Sequence, residues 1–226
     1  MDFAETYKNV LFLSEARSFS KAQKYFKKYG EEIFRLYYLL GKIDCQIGII
    51  SISKAYGTNF ADFGEKISGK NLYTPLLKEP VANDLDLEKS IILTGSNASG
   101  KSTYLRTIGI NAVLALSFGI FFGEKFEIKP MKLRSAIDIS DSIMENLSYF
   151  MAESKAIGAM IDDGEEKIIL LDEIFRGTNT IDRIAAATAT LKYLARNNHV
   201  VAATHDIELT ILLKDLYKNM HFEEKI

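Results

Sequence analysis

The sequence predicts an α/β fold, a mostly parallel β-sheet flanked by helices and preceded by a long N-terminal helix. Three observations carry that expectation. Short, continuously apolar runs (Ile91-Ile-Leu-Thr94, Ile168-Ile-Leu-Leu-Asp172 and Val200-Val-Ala-Ala-Thr204) alternate with helix-like segments. A run that is apolar at every position suits a strand buried on both faces, as a parallel sheet requires. The first run leads into Gly95-Ser-Asn-Ala-Ser-Gly-Lys-Ser-Thr103, a glycine-rich turn followed by the helix-like stretch Ser102–Leu116. Finally, an apolar stripe at helical spacing fills much of the first quarter of the chain.

That stripe runs through Phe19, Ala22, Phe26, Tyr29, Ile33, Tyr37, Leu40, Ile43, Ile47, Ile50 and Lys54, all but the last apolar. No proline or turn cluster interrupts it. Gly41 and Gly48 weaken the helix by about 1 kcal/mol each without ending it. A continuous helix over 18–56 would be about 58 Å long, which suggests a lever rather than a core element. Arg17, Lys21, Lys24, Lys27 and Lys28 form a basic patch on it, and a solvated helix face explains them better than phosphate contact does. Gly57-Thr-Asn59 ends the helix, so residues 1–57 form a helical lever-like segment and 58–226 a second domain.

Within 58–226, the stretch 58–90 reads as a loop-rich lead-in with short strands, punctuated by Pro75 and Pro80. Phe126–Ile128 and Leu133–Ile137 are candidate strands of an antiparallel excursion. Glu145–Ile161 and the alanine-rich Ile181–Arg196 read as helices, and Asp206–Tyr217 as a last one. The apolar stretch Ala112–Phe122 falls short of the ~20 residues that a membrane-spanning helix needs. It reads as buried helix and turn. The start of the chain lacks the basic-then-apolar pattern of a signal peptide, so the expectation is a cytoplasmic protein without membrane contact.

Composition excludes little else. The chain has 226 residues, 47% hydrophobic and 26% charged, with a formal net charge of −2. Nothing there suggests a protein that grips nucleic acid by bulk charge. The single cysteine, Cys45, rules out an internal disulfide and reads as a small buried apolar residue.

The chemistry concentrates at three strand ends. Gly95–Thr103 matches G-x-x-x-x-G-K-[ST], in which backbone N–H groups and a helix N-terminus cradle phosphate oxygens. Lys101 can reach the β/γ-phosphates and the Ser102 hydroxyl can ligate Mg²⁺. The strand Ile168–Asp172, running into Glu173, has the Walker B pattern. Asp172 would support Mg²⁺, and Glu173 would orient or deprotonate an attacking water. Thr204-His205-Asp206 follows the third strand, and His205 could hydrogen-bond the γ-phosphate or that water. In open parallel sheets ligands bind where strands end, so the three pieces should converge. Phe175-Arg-Gly-Thr-Asn-Thr180 adds a tight loop with Arg176 as a nearby cation. His199 and His221 have no such setting. With no Cys/His ligand cluster, zinc is not expected.

The stretches Thr94–Arg106, Asp172–Thr180 and Ala203–Leu209 together resemble the ATPase domain of MutS proteins, nearest a MutS-like branch outside the main mismatch-repair enzyme. The resemblance runs from about Tyr25 to the end of the chain. It implies an ABC-type P-loop ATPase that uses ATP and Mg²⁺ and works as a homodimer or with a MutS-like partner subunit. Gly95, Asn97, Ser99, Gly100, Lys101, Ser102 and Thr103 would hold the nucleotide. Ser102 and Asp172 would hold the metal, and Glu173 and His205 would be catalytic. Ser148, in the segment Glu145–Glu153, would act in trans on the partner's nucleotide, and Arg176, Gly177 and Thr178 would form dimer contacts. DNA would be reached only through domains outside this chain. Three positions depart from the family pattern: Asn146 replaces a glycine before the trans serine, Phe122 replaces a proline, and Pro80 stands where an aromatic often stacks on adenine. The chain stops 21 residues after His205. Family members continue with further strands and a helical segment, so the expectation is a C-terminally truncated piece.

The resemblance thus implies slow ATP hydrolysis that drives dimer closure in a DNA-repair or DNA-processing ATPase. Two other readings compete with it. One is an inert nucleotide-binding or docking module left from a truncated relative. The other, an ABC transporter subunit, requires a Leu-Ser-Gly-Gly-Gln signature where this chain has Asn146-Leu-Ser-Tyr149.

Overall fold

The structure is a computed structural model that describes residues 14–96, 99–137, 149–161 and 164–223. The chain divides into two compact units, Met1–Ala55 and Tyr56–Ile226. The described part of the first is essentially one helix, α1 (Ser14–Tyr56), 43 residues long. At 1.5 Å per residue it measures about 65 Å. Its large apolar side chains, Phe19, Phe26, Ile33, Tyr37, Leu40 and Ile47 among them, are exposed. Cys45 is exposed too. That corrects the expectation of a buried thiol: Cys45 lies on a stretch of α1 whose large apolar side chains are themselves exposed, so no core encloses it among the described residues.

The second unit is built on a five-stranded sheet in the order β11-β5-β10-β9-β8, every neighbouring pair parallel. The strands are β5 (Ser90–Gly95), β8 (Lys132–Ala136), β9 (Lys167–Asp172), β10 (His199–Ala203) and β11 (Tyr217–Phe222). β5, β9 and β10 are the continuous apolar runs, and each is buried along most of its length. Alternate residues feed two cores. Ile91, Leu93, Ile168, Leu170, Val201 and Ala203 pack on one face with Tyr104, Leu105, Ile108 and Ala112 of α2 (Lys101–Phe118). Ile92, Ile169, Leu171, Val200 and Ala202 pack on the other. There they meet α3 (Tyr149–Ile161), α4 (Thr180–Leu194) and α5 (Glu208–Leu212). The two-fold period of a strand, with helices on both faces, makes every position of a central strand a core position.

The lead-in supplies β1 (Asn59–Phe60), β2 (Asp62–Phe63), β3 (Ser68–Leu72) and β4 (Asn83–Asp86). With β6 (Ile120–Phe121) and β7 (Lys125–Ile128) they form a β1-β6 pair and a small sheet ordered β2-β7-β3-β4. Asn111 of α2, fully buried, clasps these pieces. Its amide donates to the Tyr73 carbonyl at 3.1 Å and its oxygen accepts the Phe122 N–H at 2.7 Å.

Two expectations change. Leu133–Ile137 does not belong to an antiparallel excursion: β8 is the parallel edge strand beside β9, whereas β7 does pair antiparallel, with β3. Asp206–Tyr217 is not one helix. The helix stops at Leu212, and Tyr217–Phe222 forms β11, parallel to β5. Among the described residues no helix is long and apolar enough to cross a membrane.

Candidate functional site

Register brings the three motif-bearing strands to one edge. Ala203 of β10 lies opposite Asp172 of β9 on one side and Leu93 of β5 on the other. Because all three strands run the same way, Gly95–Ser96, Asp172–Glu173 and Thr204–Asp206 emerge side by side. Backbone bonds lock the exits together: Thr204 N–H donates to the Leu93 carbonyl and Glu173 N–H to the Ala203 carbonyl, each at 3.0 Å.

The glycine-rich turn is tightly made. Gly95 has φ +144° and Gly100 φ +94°, conformations that L side chains resist. A Cβ on Gly95 would collide with the Phe222 carbonyl oxygen of β11 and lie 2.7 Å from Ser99 Oγ. Ser99 closes the turn by donating from Oγ to the Ser96 carbonyl at 2.8 Å. Lys101 opens α2 and folds back under the turn, its Nζ 2.7 Å from both the Gly95 and Ser96 carbonyls. Only 4% of it is exposed, and burial pulls its pKa below the usual lysine value. Glu173 and Asp172 oppose that shift, so the ammonium points into an acidic neighbourhood. Ser102 and Thr103 follow on the first turn of α2, both half-buried.

Glu173 sits just past β9 with φ +49°, unusual for a residue with a side chain. Both of its carboxylate oxygens are engaged. His205 Nε2 donates to Oε1 at 2.7 Å and Arg176 Nε donates to Oε2 at 2.8 Å. A cavity of about 190 Å³ beside them is lined by Glu173, Ile174, Arg176, Arg183, Thr204, His205 and Asp206. Its far wall is rigid. Arg183 of α4 grips Asp206 with two bonds, Nε to Oδ2 at 2.8 Å and an Nη to Oδ1 at 2.7 Å. That fork geometry suits guanidinium and carboxylate.

The acidic side also fits a divalent cation. Asp172 Oδ1 is buried and has no hydrogen-bond partner among the described residues. A buried carboxylate oxygen without a donor is costly unless a cation completes it. Ser102 offers a hydroxyl from α2. One carboxylate and one hydroxyl, with phosphate and water oxygens, suit Mg²⁺, which rarely has an all-protein cage. Among the described residues no group of three or more His, Cys, Asp or Glu could hold a metal by itself.

Most of the residues singled out from the sequence therefore stand around one cleft: Gly95, Ser99, Gly100, Lys101, Ser102, Thr103, Asp172, Glu173 and His205. Arg176, Gly177 and Thr178 lie on its rim, Arg176 and Gly177 exposed and Thr178 half-buried. Asn97 and Ser148, with Asn146, lie outside the described residues. Three contributors, Arg183, His221 and Glu153, carried no sequence signal for the cleft. Arg183 and Asp206 are 23 residues apart and pair only in the fold. His221 of β11 bonds Thr94 Oγ1 through Nδ1 at 3.1 Å, just below the turn. Glu153 of α3 is 1% exposed and accepts the Arg176 N–H at 3.4 Å. His199, at the opposite end of β10, bonds the Leu87 carbonyl and Glu166 and takes no part in the cleft.

Comparison with known proteins identifies the family. The family described as MutS domain V matches residues 91–225. The chain is similar to the DNA mismatch repair protein MutS of Thermus caldophilus, 30% identical over 206 residues covering 88% of this chain and 25% of that protein. MutS of Listeria monocytogenes is 32% identical over 232 aligned positions, 92% of this chain and 26% of its own length. MutS of Staphylococcus haemolyticus is 30% identical over 224, with 92% and 25% covered. The chain thus spans about a quarter of the length of these relatives. With a cleft at the ends of three parallel strands and a family match across its whole sheet, the chain belongs to the MutS family.

Proposed function

We propose that this chain is a P-loop ATPase domain of the ABC type that binds ATP with Mg²⁺ and hydrolyses it slowly, driving dimer closure in a MutS-like DNA-repair or DNA-processing system. The observation that carries the reading is the cleft itself: a buried lysine under a glycine-rich turn, facing a carboxylate that is hydrogen-bonded by a histidine. The names of the relatives, DNA mismatch repair proteins, support the wider setting.

In this reading Gly95, Asn97, Ser99, Gly100 and Thr103 hold the phosphates. Lys101 exchanges its two loop carbonyls for phosphate oxygens. Ser102 and Asp172 hold the cation. Mg²⁺ when bound supplies charge neutralisation at the phosphate oxygens. Glu173 orients the attacking water and takes its proton, and His205, on the same carboxylate, senses the γ-phosphate. Catalysis is positioning and charge stabilisation, with Ser148, Arg176, Gly177 and Thr178 serving the junction with a second subunit. Helix α1 is the lever segment, and DNA is met through parts of the system outside this chain. The setting is the cytoplasm.

Glu173→Ala tests the assignment. The variant should bind ATP as the wild type does and lose turnover by about 100-fold or more. Turnover at the wild-type rate would overturn it. One observation favours a second reading, an inert nucleotide-binding or docking module: both Glu173 oxygens are already paired within the single chain. The dependence of specific activity on protein concentration separates the two. A composite dimeric site gains activity as concentration rises, whereas an inert module stays flat.

A further inference from the structure

Glu153 is a buried acid that the scheme above leaves without a task. It lies on α3, which begins one residue after Ser148 in the sequence. Its side chain is almost wholly enclosed. Oε1 accepts the Arg176 N–H at 3.4 Å, and buried Oε2 has no partner among the described residues. Burial raises its pKa, and the Arg176, Gly177 and Phe175 backbone N–H groups oppose that rise. The carboxylate therefore sits under the loop after β9 and meets the Arg176 amide there. A turn in which the backbone alternates handedness can present N–H groups to an anion, as in nests. Phe175 supplies this turn with φ +63°. A left-handed, buried phenylalanine costs roughly 1–3 kcal/mol and persists only where the surroundings impose it. An anion under the loop is such an imposition.

The consequence reaches the cleft. Arg176 is the residue whose N–H meets Glu153 and whose guanidinium meets Glu173. Its main chain is anchored on one acid and its side chain stands on another.

We propose that Glu153 is a positioning residue of the site. Its buried carboxylate fixes the Phe175–Gly177 loop, sets Arg176 on Glu173, and ties both to the helix that follows the trans serine. The proposal rests on the ATPase reading for its effect on turnover, but its structural half stands apart from it. Through this tie, displacement of α3 by a second subunit is passed to the loop, and the loop moves Arg176 relative to the catalytic carboxylate.

Glu153→Gln in the full chain tests it. The glutamine keeps the shape and removes the charge that meets the Arg176 amide. Trypsin should cleave after Arg176 about tenfold faster than in the wild type, with cleavage after Arg196 as the internal reference, because local opening governs proteolysis. ATP affinity should stay within about twofold while kcat falls about tenfold, the signature of lost positioning. The melting midpoint should not fall, since a neutral group replaces a buried charge. Wild-type cleavage at Arg176 overturns the proposal. So does a fall in the midpoint with cleavage rising at Arg196 as well, which is a packing defect. If the variant does not fold, amide exchange in the unmodified chain decides instead. The Phe175–Gly177 amides should exchange at least about tenfold slower than an open loop allows, and open-loop rates refute the anchor. If the wild type has no ATPase activity, the functional reading fails and the cleavage result still stands.

Discussion

Gly95→Ala is the most direct test of how the glycine-rich turn is held. The added methyl meets two obstacles. One is the backbone, since φ is +144° at this position. Forcing an L side chain into such a region costs roughly 1–3 kcal/mol. The other is space. The Cβ would run into the Phe222 carbonyl and lie 2.7 Å from Ser99 Oγ. Ser99 can rotate away, but Phe222 is backbone, paired opposite Gly95 at the end of the β5–β11 ladder. Overpacking of this kind costs typically ~1–3 kcal/mol. A total of roughly 3 kcal/mol corresponds to a fall of about 6–12 °C in the melting midpoint for a chain of this size. Relief requires the end of β11 to peel away, so the amides of His221 and Phe222 should also lose protection. Gly158→Ala on α3 is the matched control, because a Cβ there meets nothing within 4 Å. In a helix interior it should be neutral or stabilising by up to about 1 kcal/mol. The assay is thermal and urea unfolding of both variants, with amide exchange on the first. If Gly95→Ala melts within about 2 °C of the wild type, the turn is not pinned by β11 and the argument fails.

Two further outcomes follow from the same structure. Asn111→Ala should destabilise by about 2–4 kcal/mol, because the Phe122 N–H and the Tyr73 carbonyl both lose a buried partner; a loss under ~1 kcal/mol in urea unfolding would show that water replaces the amide. Glu166→Gln should unfold more easily than the wild type at neutral pH, and the gap should close in acid. The Lys129 hydrogen bond, with a further one from His199, holds the Glu166 pKa below its ordinary 4.5. A depressed carboxyl pKa contributes stability above the unfolded-state value that is lost as pH falls through the folded-state one. The carboxylate is 43% exposed, so the effect is small, and unfolding midpoints between pH 7 and pH 3 should show a gap that shrinks only below about 4.5. A gap that does not change with pH would refute the assignment.

What could be read from the sequence follows from where each strand sits. β5, β9 and β10 are central, so both faces are apolar and the run itself announces the strand. β8 and β11 are edge strands, with exposed Arg134, Ser135, Lys218 and Asn219. Such a pattern cannot name its neighbour, and the parallel pairing of β8 with β9 was out of reach. β11 was hidden for a different reason. Ile207, Leu209, Ile211, Leu212 and Leu216 continue a helical spacing past the point where the helix ends at Leu212. Sequence spacing also put Lys101, Asp172, Glu173 and His205 at strand ends, since parallel strands send their ends to one edge. The grip of Arg183 on Asp206 and the contact of Glu153 with the loop arise from helices packed across the sheet, and no local pattern encodes them.

The turn after β9 shows why the finest part of the cleft is the least legible. Glu173 and Phe175, two residues apart, both have positive φ, and neither is glycine. Each such residue costs roughly 1–3 kcal/mol and persists only where its surroundings impose it. A sequence optimised for folding alone would place glycine at one of them. The structure shows what holds each in place. Glu173 is fixed by its N–H to Ala203 and by both carboxylate bonds, to His205 and Arg176. Phe175 is fixed by its own burial and by the acid beneath the Arg176 amide that follows it. Glycine would relieve the strain at position 173 only by removing the carboxylate, and at position 175 only by vacating the core. The strain therefore follows from requiring, within three residues, an acid aimed along the strand ends and an aromatic turned inward. On that argument Phe175→Gly should relax the loop but open a cavity, losing about 3–5 kcal/mol from the core. A variant no less stable than the wild type would mean that the left-handed turn, not the buried ring, dominates the energy there.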